Sequence, residues 1–235
     1  MTGPAASQDP VDGLTARDIA CVRGGRLVFS GLGFSVEPGG VLLLTGPNGI
    51  GKSSLLRILA GLLPQAKGTV VLGNASARIG YLGHGDGLKP LATVAETLTF
   101  WAAVTGGGEQ EYRAAAIEDA MARFVLHPLA DLPCRYLSAG QRRRVGLARL
   151  VSSGADVWLL DEPTTALDDA GVAAFEDALQ SHLGAGGLAV IATHTALGGG
   201  RAETLALERF APDASALADP FADPLTAEGA VGDPA

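Results

Sequence analysis

Hydrophobic residues fall along this chain in two alternating patterns, short unbroken runs and longer runs with helical spacing. Val41–Thr45, Val157–Leu160 and Leu188–Thr193 are continuous apolar runs four to six residues long. Such runs are expected of strands buried on both faces of a parallel sheet. Leu14–Val36 reads differently: LTARDIACV, a Gly-Gly turn, then RLVFSGLGFSV, two short strands forming a hairpin. Thr69–Leu72 is a further short strand. Between the runs, Leu55, Leu56 and Leu59 share one face of a helix expected over Lys52–Leu62. Helical patterning returns over Ala92–Leu129, broken at Gly106–Gly108, then over Ser138–Ser152 and Gly171–Leu183. Strands alternating with helices predict an α/β fold: a parallel-sheet core, an N-terminal antiparallel β subdomain and a helical insertion.

Composition narrows the classes. The chain has 235 residues, 47% of them apolar, enough for a single large core. Net charge is −8, but Asp213, Asp219, Asp223, Glu228 and Asp233 lie in a tail with no basic residue. The rest is nearly neutral, and no basic stripe marks a nucleic-acid partner. No run approaches the 18–20 apolar residues of a membrane-spanning helix, and MTGPAASQDP lacks the features of a signal peptide. Cys21 and Cys134 stand far apart with no C-x-x-C and are expected to be buried, reduced thiols. The organisation expected is a domain over 14–207 containing a helical insertion at about 88–147. A flexible N-terminus, 1–13, precedes it and an Ala/Pro/Asp-rich flexible tail, 211–235, follows.

The candidate chemistry sits where the buried runs end. Gly46-Pro47-Asn48-Gly49-Ile50-Gly51-Lys52-Ser53 fits G-x-x-x-x-G-K-[ST], placed between a strand and a helix. Its glycines allow backbone N–H groups to surround a polyphosphate, Lys52 supplies a positive charge, and Ser53 a hard oxygen ligand for Mg²⁺. Ser54 continues the loop into the helix, whose N-terminal dipole favours the same anion. Asp161 and Glu162 end the run VWLLD. Strand alternation predicts that the two side chains point to opposite sides and divide the work. Asp161 would then hold Mg²⁺ through water while Glu162 acts as base on the attacking water. His194 ends a third run and converges on the same sheet edge as a γ-phosphate contact. Ser138 and Gln141 form a capping box at the start of the helix QRRRVGLARL, in which Arg142, Arg143 and Arg144 read as a solvated or interfacial face.

Leu137-Ser138-Ala139-Gly140-Gln141, lying between the phosphate loop and the acid pair, resembles the signature motif of the ATP-binding-cassette family. Thr165-Ala-Leu-Asp168 resembles that family's D-loop. The resemblance implies an ATPase in which two cassettes stack head to tail. Each ATP then lies between one subunit's phosphate loop and its partner's signature. Two positions depart from the family. His84 stands where a Gln is usual, and Val22-Arg23 takes the place of the adenine-stacking aromatic, leaving Arg23 to stack instead.

GHGDGLKPLATVAETLTF, ACVRGGRLVF, LSAGQRRRVGLARL and ATHTAL together resemble the haem-exporter ATP-binding subunits of cytochrome c maturation. The implied protein hydrolyses ATP with Mg²⁺ on the cytoplasmic face of the inner membrane. It would dock peripherally on integral membrane subunits and meet haem only indirectly. The other readings are a drug, lipid or polysaccharide exporter subunit and a soluble cassette ATPase outside transport.

Overall fold

The computed structural model describes residues 13–105, 110–195, 197 and 202–212. The Gly106–Gly108 break and nearly all of the two expected flexible termini lie outside them.

β1 (Leu14–Arg23) turns through Gly24-Gly25 into β2 (Arg26–Val36), and with β4 (Lys67–Leu72) they form an antiparallel sheet in the order β2-β1-β4. The second sheet is parallel, in the order β5-β6-β7-β3-β8: β5 (Ile79–Leu82), β6 (Val157–Asp161), β7 (Leu188–Ala192), β3 (Val41–Thr45) and β8 (Ala202–Ala206). The unbroken apolar runs have the expected cause. Leu42 and Leu44, Val157 and Leu159, and Leu188 and Val190 enter a core shared with β1, β2 and α1 (Lys52–Leu59). The alternate residues Val41 and Leu43, Trp158 and Leu160, and Ala189 and Ile191 enter the opposite core. There they meet side chains of α2 (Val94–Thr105), α4 (Ala139–Ser152) and α5 (Asp169–Gly184). α3 (Gln110–Arg123) packs on α4 and α2. Cys21 and Cys134 are buried thiols, as expected.

One boundary moves. α1 ends at Leu59, not Leu62, because the chain turns at Gly61 (φ +68°) and leaves Leu62 largely exposed. β8, an edge strand beside β3, has no continuous apolar run. Ala202 and Leu205 touch the two opposite cores while Glu203 and Thr204 stay exposed, so the unbroken run that marks the other strands is missing.

The sheet order fixes the chemistry. The carboxyl ends of β5, β6, β7 and β3 lie side by side, and the loops leaving them carry His84, Glu162, His194 and the phosphate loop. Open parallel sheets bind ligands at this edge.

Candidate active site

A cavity of about 500 Å³ opens at that edge. Its walls include Asn48, Gly49, Gly51, Lys52, Ser53 and Ser54 from the phosphate loop and the start of α1. Asp161, Glu162 and Thr165 come from the β6 end, with His194 and His84 from neighbouring loops. Residues more than 140 positions apart in sequence therefore share one wall.

Lys52 is buried, with Nζ donating to Gly46 O at 2.6 Å and Pro47 O at 3.3 Å. Its ammonium is thus held over the loop by that loop's own carbonyls. His194 Nε2 lies 3.5 Å from Lys52 Nζ and 3.5 Å from Glu162 Oε1. A single nitrogen cannot accept from the lysine and donate to the carboxylate at once. The imidazole therefore stands between the cation of the phosphate loop and the carboxylate of β6, with its tautomer set by whichever partner it serves.

Gly51 has φ +112°, and a Cβ there would lie 2.7 Å from Val28 Cγ1 and 2.9 Å from Phe29 Cδ1. The loop enters α1 directly against β2, which leaves no room for a side chain. Gly51→Ala is expected to cost about 3 kcal/mol, from backbone strain plus overpacking. That corresponds to roughly 8 °C in Tm for a chain of this size, measurable by thermal melting, and nucleotide affinity should weaken with it.

Asp161 and Glu162 do not divide by strand alternation. β6 ends at Asp161, and Glu162 turns into the left-handed region at φ +49°, so both residues line the same cavity. For a residue with a side chain this conformation costs roughly 1–2 kcal/mol. Hydrogen bonds hold both ends of the residue. The Glu162 N–H donates to Ala192 O at 2.8 Å, and its carbonyl accepts from Arg143 Nη2 at 2.6 Å and Thr165 N–H at 3.2 Å.

The capping box is formed. Ser138 Oγ accepts from the Gln141 N–H at 3.2 Å, and Gln141 Oε1 accepts from the Ser138 N–H at 2.8 Å. Gly140 has a reason within the subunit as well: a Cβ would fall 2.6 Å from Ala166 O, so α4 seats directly on the segment after Glu162. Asp168 caps α5 by accepting from the Gly171 N–H at 2.9 Å and pairs with Arg144 Nη2 at 2.5 Å. The guanidinium and then the N–H hold its carboxyl below the usual aspartate range.

The arginine trio is not a solvated face. Arg143 is 3% exposed and donates into the protein; Arg142 and Arg144 are partly covered, with Arg142 Nη1 donating to Leu137 O at 2.7 Å. A helix that packs on both α2 and β5 has no fully free side for three consecutive residues. Arg23 is exposed at the end of β1 opposite Arg26, outside the walls of the cavity. Among the described residues no group of three or more His, Cys, Asp or Glu side chains is placed to hold a metal.

Residues 29–165 match the ABC transporter family. The "Cytochrome c biogenesis ATP-binding export protein CcmA" of Paramagnetospirillum magneticum is 48% identical over 206 residues, covering 84% of this chain and 94% of that one. The chain belongs to the ABC transporter ATPases of the CcmA type. The protein of the same description from Paracoccus denitrificans is 51% identical over 197 residues, covering 84% and 90% of the two chains. Among solved structures, a putative ABC transporter ATP-binding protein from Pyrococcus furiosus superposes with a TM-score of 0.71 at 25% identity. That match covers 85% of this chain and all of the other. The two-sheet α/β architecture is thus that of an ABC ATPase, and the cavity lies at the carboxyl edge of its parallel sheet. Among the described residues of this ABC ATPase, no helix is long and apolar enough to cross a membrane.

Proposed function

We propose that this ABC ATPase powers a membrane exporter in c-type cytochrome biogenesis, driving haem delivery or release of a haem-loaded chaperone. The observation that carries the reading is the 47–51% identity to cytochrome c biogenesis export proteins over about 84–87% of the chain. The protein would sit peripherally on the cytoplasmic face of the inner membrane, docked on integral membrane subunits. Exposed Leu62, Phe100 and Val104 support such docking: Leu62 lines an apolar groove with Trp101, and the other two stand on the same helix as Trp101.

At the site, Lys52 would exchange its hold on Gly46 and Pro47 for the β- and γ-phosphates, while the loop N–H groups and the α1 N-terminus meet the remaining oxygens. The Ser53 hydroxyl and Asp161 carboxylate are hard oxygen donors on one cavity wall, which suits Mg²⁺ shared with the phosphates and held through water at Asp161. Bound there, Mg²⁺ would neutralise charge on the phosphate oxygens. Glu162 would take a proton from the water that attacks the γ-phosphorus as the bond to the ADP oxygen breaks. His194 would donate from Nε2 to the γ-phosphate, and His84 would face the same phosphate or the water. Asn48, Gly49, Ile50, Gly51 and Ser54 would complete the cradle. Ser138, Ala139, Gly140 and Gln141 would close over the nucleotide of a second subunit. Ser138 suits this role because, among the described residues, its Oγ serves as an acceptor alone, which leaves the O–H to donate. Asp168 would order that interface from α5.

Deleting the gene while leaving its neighbours intact is expected to abolish covalent haem attachment to c-type cytochromes, read by haem staining. Normal holo-cytochrome levels would move the cargo to another exporter class. The isolated chain is also expected to hydrolyse ATP slowly and to accelerate when assembled with its membrane subunits. Steady-state ATPase assays on both forms check this; an equal rate in both would contradict docking-dependent activity.

A further inference from the structure

Arg143 joins two loops that face the nucleotide cavity, without lining that cavity itself. Its Nη1 donates to Gly83 O at 3.0 Å and to Asp86 Oδ1 at 3.0 Å, one residue before and two residues after His84. Its Nη2 donates to Asp161 O at 2.9 Å and to Glu162 O at 2.6 Å. The side chain is 4% exposed, and the Asp86 side chain beside it 18%. One rigid fork therefore fixes the end of β5 with one nitrogen and the end of β6 with the other, from the first turns of α4.

We propose that Arg143 is a positioning residue for ATP hydrolysis, holding Glu162 in its left-handed conformation and setting its separation from the His84 loop. A left-handed glutamate persists only where its surroundings over-determine it. Its carbonyl is held by the guanidinium at 2.6 Å and, more weakly, by the Thr165 N–H at 3.2 Å. A planar guanidinium presents donors along two edges in a fixed geometry; a lysine ammonium at the same place can serve one loop or the other. Because Ser138 caps α4, the fork also ties the position of Glu162 to the helix carrying the signature residues. The proposal rests on the reading of Glu162 as the base.

The test uses the full chain with Arg143→Lys and Arg143→Met, each alone and combined with Glu162→Gln. It measures single-turnover ATP hydrolysis, KM, the affinity for a fluorescent ATP analogue, and thermal melting. Arg143→Met is expected to lower kcat about 50-fold, the scale of a sub-ångström to 1 Å misplacement. KM and analogue affinity should stay within about twofold, since no nucleotide contact is lost. Arg143→Lys should fall in between, about 5–10-fold down, by keeping the charge and part of the contacts. In the Glu162→Gln background neither change should slow hydrolysis further. Wild-type kcat in both single variants, a loss confined to KM, or full additivity with Glu162→Gln would overturn the proposal. If Arg143→Met does not melt cooperatively, Arg143→Lys decides by the same criteria. Wild-type turnover by Glu162→Gln would instead overturn the reading of Glu162, and the positioning role with it. A slow Glu162→Gln beside unaffected Arg143 variants would overturn the positioning role alone.

Discussion

Glu162→Gln is expected to lower ATP hydrolysis about 10³-fold, within the range for loss of a general base, while leaving ATP affinity close to wild type. The amide matches the carboxylate in shape and cannot take the proton of the attacking water. The backbone constraints on the residue are unaffected, because its N–H bonds Ala192 O and its carbonyl bonds Arg143 and Thr165, none of them through the side chain. Binding should survive because Lys52 and the phosphate loop, which also line the cavity, are unchanged. The expected product is an ATP-loaded pair of subunits that no longer resets, visible as a nucleotide-dependent two-subunit species by sedimentation and as slow turnover in radiolabelled ATP. Turnover near wild type would remove Glu162 from the role of base.

Lys52→Met should act on binding as well as on chemistry. A charge-assisted contact is worth about 1.5–3 kcal/mol, and a lysine meeting both β- and γ-phosphates makes at least two. The expected loss is therefore at least about 100-fold in ATP affinity, with hydrolysis falling further because the same charge faces the γ-phosphate in the transition state. The apo fold should tolerate the change. The partners vacated are the carbonyls of Gly46 and Pro47 and the His194 Nε2, beside a cavity from which water can replace the ammonium. Equilibrium binding of a fluorescent ATP analogue, paired with thermal melting, checks both halves. Unchanged affinity in a well-folded variant would contradict the assignment.

The elements legible in the sequence are those whose environment imposes a strong local pattern. β3, β6 and β7 are buried on both faces, which demands unbroken apolar runs, and their ends coincide with motifs that need such strands. Ser138 and Gln141 announce their helix start because both halves of a capping box lie within four residues. β8 carries no such signal because an edge strand makes no such demand. Two features of the site depend on contacts that leave no local trace. Arg143 reads as a polar helix residue, yet three of its four acceptors are the carbonyls of Gly83, Asp161 and Glu162, and a backbone carbonyl has no sequence signature. Glu162 follows a strand whose alternation should send its side chain away from Asp161. The left-handed turn that brings both into one cavity is held by β7 and α4, both distant in sequence.

If Glu162 is the base that powers haem attachment, one carboxylate decides one physiological outcome, and complementation reads it directly. In a strain lacking this gene, holo-cytochrome c would be measured by haem staining after supplying the wild-type chain or Glu162→Gln at equal expression. The wild-type chain is expected to restore covalent haem attachment and Glu162→Gln is not. Full restoration by Glu162→Gln, or undiminished holo-cytochrome c in the deletion strain itself, would contradict it.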